Sequence, residues 1–440
     1  MSGRKAPPLV LKFGGAALAD PAPVLARIRA ARRGGRPVVV VVSARARVTD
    51  RLLEAARHPA DRARHRRILR AIDEDHPGLL APGRRQIERL GRLLREIESG
   101  ASPDPPTVDR LLSQGERIAA HWLAGHLRRA GLPAVPVESD HLGLITDNAY
   151  GASCIVFERS RAPVRRGLRR VLAAGGVPVV TGFFGRSLEG RVATLGRGGS
   201  DYAAAAIGAL LGSRRVELVK RQVAVLTADP REVPDARPIP ALSYEEAEEL
   251  AQFGARVLHP LTIEPARAHR LVLTVRSLDD PRRVTTIGPG RPGRRNRAIT
   301  SLRPLHLVRL RVPGGRQRPG IVADVARRLR TGGVNVVQLF TSSALLCLVL
   351  EPGGTATALR TLRSLTTDDA AVLEGPVPVA LVTVIGDGVL DDLDRLPAEA
   401  VRGAEGLSAT PRALSLAVPA RRRARVVRAL HRALVGGGRR

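Results

Sequence analysis

Residues 38–42 are five consecutive valines, set between Arg36-Pro37 and Ser43-Ala44. A β-branched run with no polar alternation fits a strand covered on both faces, as inside a parallel sheet flanked by helices. The stretches "PLVLKFGG" (residues 8–15) and "VPVVTGFFG" (residues 177–185) repeat the pattern, each a short apolar run opening into glycines. Between and after them come segments with helical spacing, among them "SQGERIAAHWLAGHLRRAG" (residues 113–131) and the alanine-rich stretch from Tyr202. This alternation predicts an α/β fold, an αβα sandwich with a mainly parallel central sheet.

The chain has 440 residues, which suggests two or three domains. The first is expected over 7–287, interrupted at 59–98 by a helical insertion rich in Arg, Leu and Glu. The stretch "GPGRPGRRNR" (residues 288–297) reads as a linker, placed over 288–300. Beyond it "LVRLRV", "GIVADVARRLRTGG", "VNVVQLFT" and "ALLCLVLE" spell β-α-β-β. A second pass runs from "VALVTVIGDG" to "RARVVRALHRALVGG". Two ferredoxin-like units are therefore expected, over 301–368 and 372–437.

A net charge of +31 raises the question of nucleic-acid binding. The cations are almost all arginines scattered along the chain, with lysine only at Lys5, Lys12 and Lys220, and aromatic residues that could stack on bases are 2%. No specific nucleic acid is expected as a partner. No apolar run reaches the ~18 residues of a membrane span, so a cytoplasmic protein without a membrane partner is expected. Cys154 and Cys347 read as buried fillers, and the histidines show no metal-ligand spacing.

Chemistry concentrates in the glycine loops. In "KFGG" (residues 12–15) glycines let backbone N–H groups approach phosphate oxygens while the Lys12 cation offsets their charge. In "LGRGGSD" (residues 195–201) the chain can pass tightly around a small molecule, and the following helix directs its positive end at an anion. Arg197 suits bidentate capture of a carboxylate. Asp201 could equally be an N-cap, and Glu116 at a helix start could be a capping carboxylate.

With "SQGE" (113–116), "TGFFG" (181–185), "TADPR" (227–231) and "FGARVLHP" (253–260) in the same order, these motifs resemble the amino-acid kinase family, most closely its aspartate kinases. The resemblance covers nearly the whole chain and makes the C-terminal units similar to ACT domains. It implies phosphorylation of the L-aspartate side-chain carboxylate by ATP with Mg²⁺, the entry step to lysine, threonine and methionine. It also implies an amino-acid effector at the ACT domains and a homo-oligomer formed through them. By the same resemblance Lys12, Asp201 and Arg256 are catalytic. Lys12, Phe13, Gly14, Gly15, Lys220, Arg221, Leu226, Arg231, Arg256 and Val257 line the ATP site, and Ser43, Thr49, Glu116, Arg197, Gly198, Gly199 and Ser200 the substrate site.

Three positions depart from the family pattern. Ala16 and Ala17 stand where a Thr-Ser pair is usual, Lys220-Arg221 where Thr-Asp is usual, and Arg256 in place of a lysine. Arg is not an equivalent of Lys at a phosphate. A catalytically impaired paralogue serving as a regulatory or effector-binding subunit is therefore the alternative reading.

Overall fold

The apolar runs of the N-terminal part form strands. They are β1 (Leu9–Phe13), β2 (Val38–Val42), β3 (Ala134–Val137), β4 (Ile145–Thr146), β5 (Val177–Thr181), β6 (Phe184–Ser187), β7 (Val192–Thr194), β8 (Arg215–Lys220), β9 (Ala241–Leu242), β10 (Val272–Ser277) and β11 (Val284–Ile287). This computed structural model describes residues 6–98, 102–221, 224–254, 258–290, 297–311, 320–342, 344–363, 365 and 372–436. Described residues within Met1–Val225, Pro238–Glu248 and Arg256–Gly290 belong to one unit, and those within Leu226–Arg237, Glu249–Ala255 and Arg291–Arg440 to a second.

In the first unit eight strands form one sheet in the order β3-β5-β2-β1-β8-β10-β11-β9. All neighbours from β3 to β10 are parallel, and only β10 and β11 run antiparallel. β4, β6 and β7 make a small separate sheet. The five valines of β2 are all buried, as a central strand with both faces covered requires.

Side-chain alternation along β1 decides what each face does. Leu9, Leu11 and Phe13 join one core with Val24, Ile28 and Trp122. Val10 and Lys12 face the other way, toward the wholly buried helix Gly199–Leu211. Small residues let that helix lie close on the sheet: a Cβ added at Gly208 would meet Val216 Cγ2 at 2.5 Å. The 59–98 insertion consists of two helices, Arg62–Glu74 and Ala81–Glu98, whose Ile68, Ile72, Leu90 and Leu94 extend the Trp122 core.

The second unit contains a six-stranded antiparallel sheet in the order β13-β14-β12-β15-β17-β16. Its strands are β12 (Ala298–Arg311), β13 (Val336–Thr341), β14 (Leu345–Leu350), β15 (Val372–Ile385), β16 (Gly406–Ala409) and β17 (Ala413–Pro419). The boundaries expected at 300/301 and 368/372 do not divide it into two separate sheets, because β12 and β15 each run through both ferredoxin-like halves. Val308 and Leu310 of β12 pack with the helices Ile321–Thr331 and Pro352–Arg363, whereas Ile299 packs with β17 and the helix Arg423–Leu434. The second half thus takes its fourth strand from the start of β12. Cys347 is buried as expected, but Cys154 is exposed; both are free thiols. Among the described residues no helix is long and apolar enough to cross a membrane.

Candidate active site

Open α/β sheets bind ligands outside the carboxyl ends of their strands, where neighbouring strands lead off in opposite directions. Here that place lies between β1 and β8. β1 continues to β2 on one side, and β8 stands on the other. Lys12 is paired in register with Leu218, so Lys220, two residues further along β8, lies on the same face. Two lysines from distant parts of the chain thereby reach one spot.

Asp201 occupies that spot. Lys12 Nζ lies 2.6 Å from its Oδ1, and Lys220 Nζ donates a hydrogen bond to its Oδ2 at 3.0 Å. The carboxylate is therefore no helix cap. The N-cap of the 199–211 helix is Gly198, in the left-handed region at φ 75°, and Asp201 stands in the first turn with its oxygens on the two ammonium groups. Burial opposes ionisation of Asp201, but Lys12 and Lys220 outweigh it and hold the carboxyl well below the usual carboxylate range. Burial pushes the Lys12 ammonium below its ordinary value; Asp201 counters this and Lys220 adds to it.

Glycines keep backbone close around this charge cluster. A Cβ on Gly14 would stand 3.7 Å from Lys12 Nζ. One on Gly182 would meet Ser200 Cβ at 2.8 Å, and one on Gly198 would meet His259 Cβ at 2.4 Å. Gly15 is closed by the Ala44 carbonyl, 2.4 Å from where its Cβ would be. His259 escaped sequence reasoning, although its His-Pro pair before the helix Pro260–Ala268 was a signal for a cap. Burial lowers its pKa, with Asp201 raising and Arg197 lowering it.

Glu116, in the first turn of the helix Gln114–Arg129, accepts a hydrogen bond from Ala44 N at 2.8 Å through Oε1, while Oε2 is buried without a protein partner among the described residues. Burial pushes its pKa up to about 8, against the lowering effect of the Ala44 N–H and, more weakly, Lys12. Because the folded value lies above the ordinary 4.5, the neutral acid is the form that the fold favours. That contribution is complete below pH 4.5 and is lost as pH rises through about 8. Glu116→Gln keeps an acceptor for Ala44 N. Between pH 5 and 8 its melting temperature should rise relative to the wild type, by roughly 2–4 °C per kcal/mol relieved. Parallel thermal unfolding curves at the two pH values check this.

Other expected residues are placed as follows. Ser43 and Thr49 lie on the loop after β2 and at the start of the helix Val48–Arg57, the same segment that supplies Ala44 N. Arg197 is exposed and Ser200 buried at the start of the 199–211 helix, beside Gly199. Phe13 is fully buried in the core, so only its backbone faces this region, with Phe13 O accepting from Ser43 N at 3.1 Å. Arg221 does not point at the Lys12–Asp201 pair; it lies 3.7 Å from Asp279, beyond β10. Leu226 and Arg231 fall in the second unit. There Arg231 is an exposed side chain paired with Asp229, and Thr227 of the same turn shares a 3.0 Å hydrogen bond with His431 Nε2. Arg256 and Val257 lie outside the described residues.

The fit to Mg²⁺ is poor for direct ligation by protein. Each oxygen of Asp201 already holds an ammonium group, and Glu116 is kept from ionising at neutral pH. The acidic group Glu138, Asp140 and His141 stands at the end of β3, three positions from β1 in the sheet, with both carboxylates on the Arg117 guanidinium.

Residues 7–277 match the model of the amino acid kinase family. An aspartokinase of Thermus thermophilus is 38% identical over 178 residues, which is 40% of this chain and 43% of that protein, so the chain spans less than half the length of this relative. An aspartokinase of Geobacillus stearothermophilus is 30% identical over 69% of this chain and 74% of its own length. Among solved structures, E. coli aspartokinase III in complex with aspartate and ADP superposes with a TM-score of 0.80 at 25% identity, over 97% of this chain and 99% of that one.

Proposed function

Since the chain belongs to the amino acid kinase family, among its aspartokinases, we propose that it is a cytoplasmic enzyme transferring the γ-phosphoryl group of ATP to the side-chain carboxylate of L-aspartate. The products are 4-phospho-L-aspartate and ADP, the first step toward lysine, threonine and methionine. The observation that carries this reading is the buried Asp201 carboxylate holding Lys12 and Lys220 beside the N-terminus of the 199–211 helix. The cluster has a net charge of about +1 with a helix end added, which suits a polyphosphate.

In the step itself a carboxylate oxygen of aspartate bonds to the γ-phosphorus as the bond from phosphorus to the ADP oxygen breaks, and the electron pair leaves on ADP. The acceptor is already ionised at neutral pH, so no general base is needed. The protein's work is positioning and charge stabilisation. Lys12 neutralises phosphate charge and Asp201 holds it in place. Gly14 and Gly15 admit the phosphates close to backbone. Arg197 pairs with the substrate α-carboxylate, and Ser43, Thr49 and Ser200 offer it hydroxyls. Mg²⁺ would enter on the nucleotide, where it supplies charge neutralisation.

Glu116 takes the substrate ammonium in this reading. Bringing that cation against Glu116 favours the carboxylate, so binding at pH 7 drives a proton off a group that titrates near 8. Affinity for aspartate should therefore climb with pH up to about 8, by at most about tenfold per pH unit, and calorimetry in buffers of different ionisation enthalpy should register the released proton. Glu116→Gln should bind aspartate more weakly and without that pH dependence.

The alternative of an impaired paralogue is not favoured. Of the three departures, Arg221 engages Asp279 instead of the charge cluster. The second unit, with its paired ferredoxin-like halves, is assigned the regulatory role, binding an amino-acid effector in a homo-oligomer. The direct test is to incubate the full chain with ATP, L-aspartate, Mg²⁺ and hydroxylamine, which converts an acyl phosphate to the aspartyl hydroxamate. Hydroxamate and ADP should accumulate together only when aspartate is present. Formation no faster than in a Lys12→Ala, Asp201→Ala double variant would reject the reading.

A further inference from the structure

We propose that Asp109 is a positioning residue for the substrate aspartate, fixing the loop that carries Arg197. This inference rests on the kinase reading above and assigns a role to a side chain that acts through its neighbours. Asp109 lies in the helix Pro105–Leu112 and is 1% exposed. Its Oδ2 accepts hydrogen bonds from Thr194 N at 2.7 Å and Gly151 N at 2.9 Å, and its Oδ1 accepts from the Thr194 hydroxyl at 2.7 Å. One carboxylate thereby gathers three donors from two other segments of the chain. Bonds to an ionised acceptor are short and strong, so they fix the place of the groups that donate them.

The segments that own those donors decide the role. Thr194 ends β7 and leads directly into the 195–201 loop. That loop has Gly196 and Gly198 in the left-handed region, at φ 70° and 75°, and its glycines give it little rigidity of its own. Gly151 lies against it: a Cβ on Gly196 would stand 3.0 Å from the Gly151 carbonyl oxygen, and Ser153 N donates to Thr194 O at 2.9 Å. Asp109 therefore clamps both the stem of the Arg197 loop and the chain on which the loop rests. The same helical run also reaches the other end of the substrate. Ser113 keeps helical angles, φ -59° and ψ -20°, as it joins Pro105–Leu112 to Gln114–Arg129. Asp109 precedes Glu116 by seven residues, which is about two turns and returns to the same face. Glu116 holds Ala44 N on the loop after β2. A single helical rod thus spaces Arg197, which takes the α-carboxylate, from Glu116, which takes the ammonium.

The test uses the full chain with Asp109→Ala and Asp109→Asn, assayed for aspartate-dependent ADP release. The α-carboxylate takes no part in the transfer, so a loosened grip on it appears in the KM for aspartate. Asp109→Ala should raise that KM about fivefold or more, with much smaller changes in kcat and in the KM for ATP. Asp109→Asn should bring the KM for aspartate back toward wild type. Its carbonyl still accepts from both N–H groups, and the Thr194 hydroxyl can turn to accept from its amide. In an Arg197→Ala background, Asp109→Ala should raise the KM by no more than about twofold, since no guanidinium is left to place. A merely structural carboxylate would act on kcat and both KM values alike, and its effect would multiply with that of Arg197→Ala. A rise of less than about fivefold, an equal effect on kcat or on the KM for ATP, no recovery with asparagine, or a larger increment in the Arg197→Ala background overturns the proposal. If Asp109→Ala does not fold, Thr194→Val, which removes only the hydroxyl on Oδ1, takes its place. It should raise the KM for aspartate about threefold or more, and a smaller change overturns the proposal. If the wild type itself releases no ADP in response to aspartate, the kinase reading fails, and calorimetry with L-aspartate then decides Asp109. Binding weakened about fivefold or more in Asp109→Ala supports the positioning role, while a smaller change, or a wild type that binds no aspartate, overturns it.

Discussion

Asp201→Asn is expected to lower kcat/KM by about 1,000-fold or more while leaving the fold intact. Asparagine keeps the shape of the side chain and removes only its charge. Lys12, buried and already pushed toward its neutral form, then faces Lys220 with no anion between them. Its pKa is expected to fall further, so the variant should hold less of the Lys12 ammonium as well as losing the group that aimed it. The pH dependence separates this from simple misplacement. Lowering the pH restores the Lys12 ammonium, so the residual activity of Asp201→Asn, expressed relative to wild type, should rise as pH falls. Steady-state rates between pH 6 and 9 read it out, and a pH-independent ratio would mean that Asp201 acts by shape alone.

The second large effect concerns stability. Arg117 follows Glu116 in the helix Gln114–Arg129 and is fully buried. Its guanidinium donates to Glu138 and, at 2.5 Å, to Asp140, and it lies 4.8 Å from the centre of the Phe184 ring. Removing one partner of such a cluster leaves uncompensated charge inside, at a cost of about 3–5 kcal/mol. Arg117→Met, which keeps much of the volume, should therefore lower the melting temperature of the unit by on the order of 10 °C. Adding Glu138→Gln and Asp140→Asn should recover most of the loss, because the destabilisation comes from the stranded carboxylates. Thermal unfolding of the single and triple variants checks both statements. A triple variant no more stable than Arg117→Met would place the effect in packing on Phe184 instead.

The legible parts of the fold were those fixed by local pattern. Five valines can hardly be anything but a buried central strand, and "KFGG" and "LGRGGSD" carry their chemistry in residue types that turns and helix ends demand. Alternation along β1 puts Lys12 on the face opposite Phe13, but that this face meets the alanine-rich helix carrying Asp201 is set by packing. What local pattern could not decide depends on partners far away in sequence. The lysine at 220 is an ordinary strand end until β8 lies beside β1 and delivers it to Asp201, 19 residues earlier in the chain. The "TADPR" turn looks like part of a nucleotide site, yet Thr227 bonds His431, 204 residues on, and Glu232 pairs with Arg423. The long strands β12 and β15 hid the division of the second unit for a similar reason. Each is one continuous strand whose two ends pack into different cores. Cys154, flanked by small and apolar neighbours, read as buried because exposure of a loop is not encoded in the residues next to it.

Everything proposed for this chain depends on Lys12 and Asp201 working as one device upon a phosphoryl group. A double-mutant cycle on kcat/KM with Lys12→Met, Asp201→Asn and both together measures that coupling directly. The combined variant should be no more than about tenfold worse than the poorer single one, since removing either residue already disables the pair. Losses that multiply in full would contradict the account, because they would mean that the lysine and the aspartate serve separate purposes.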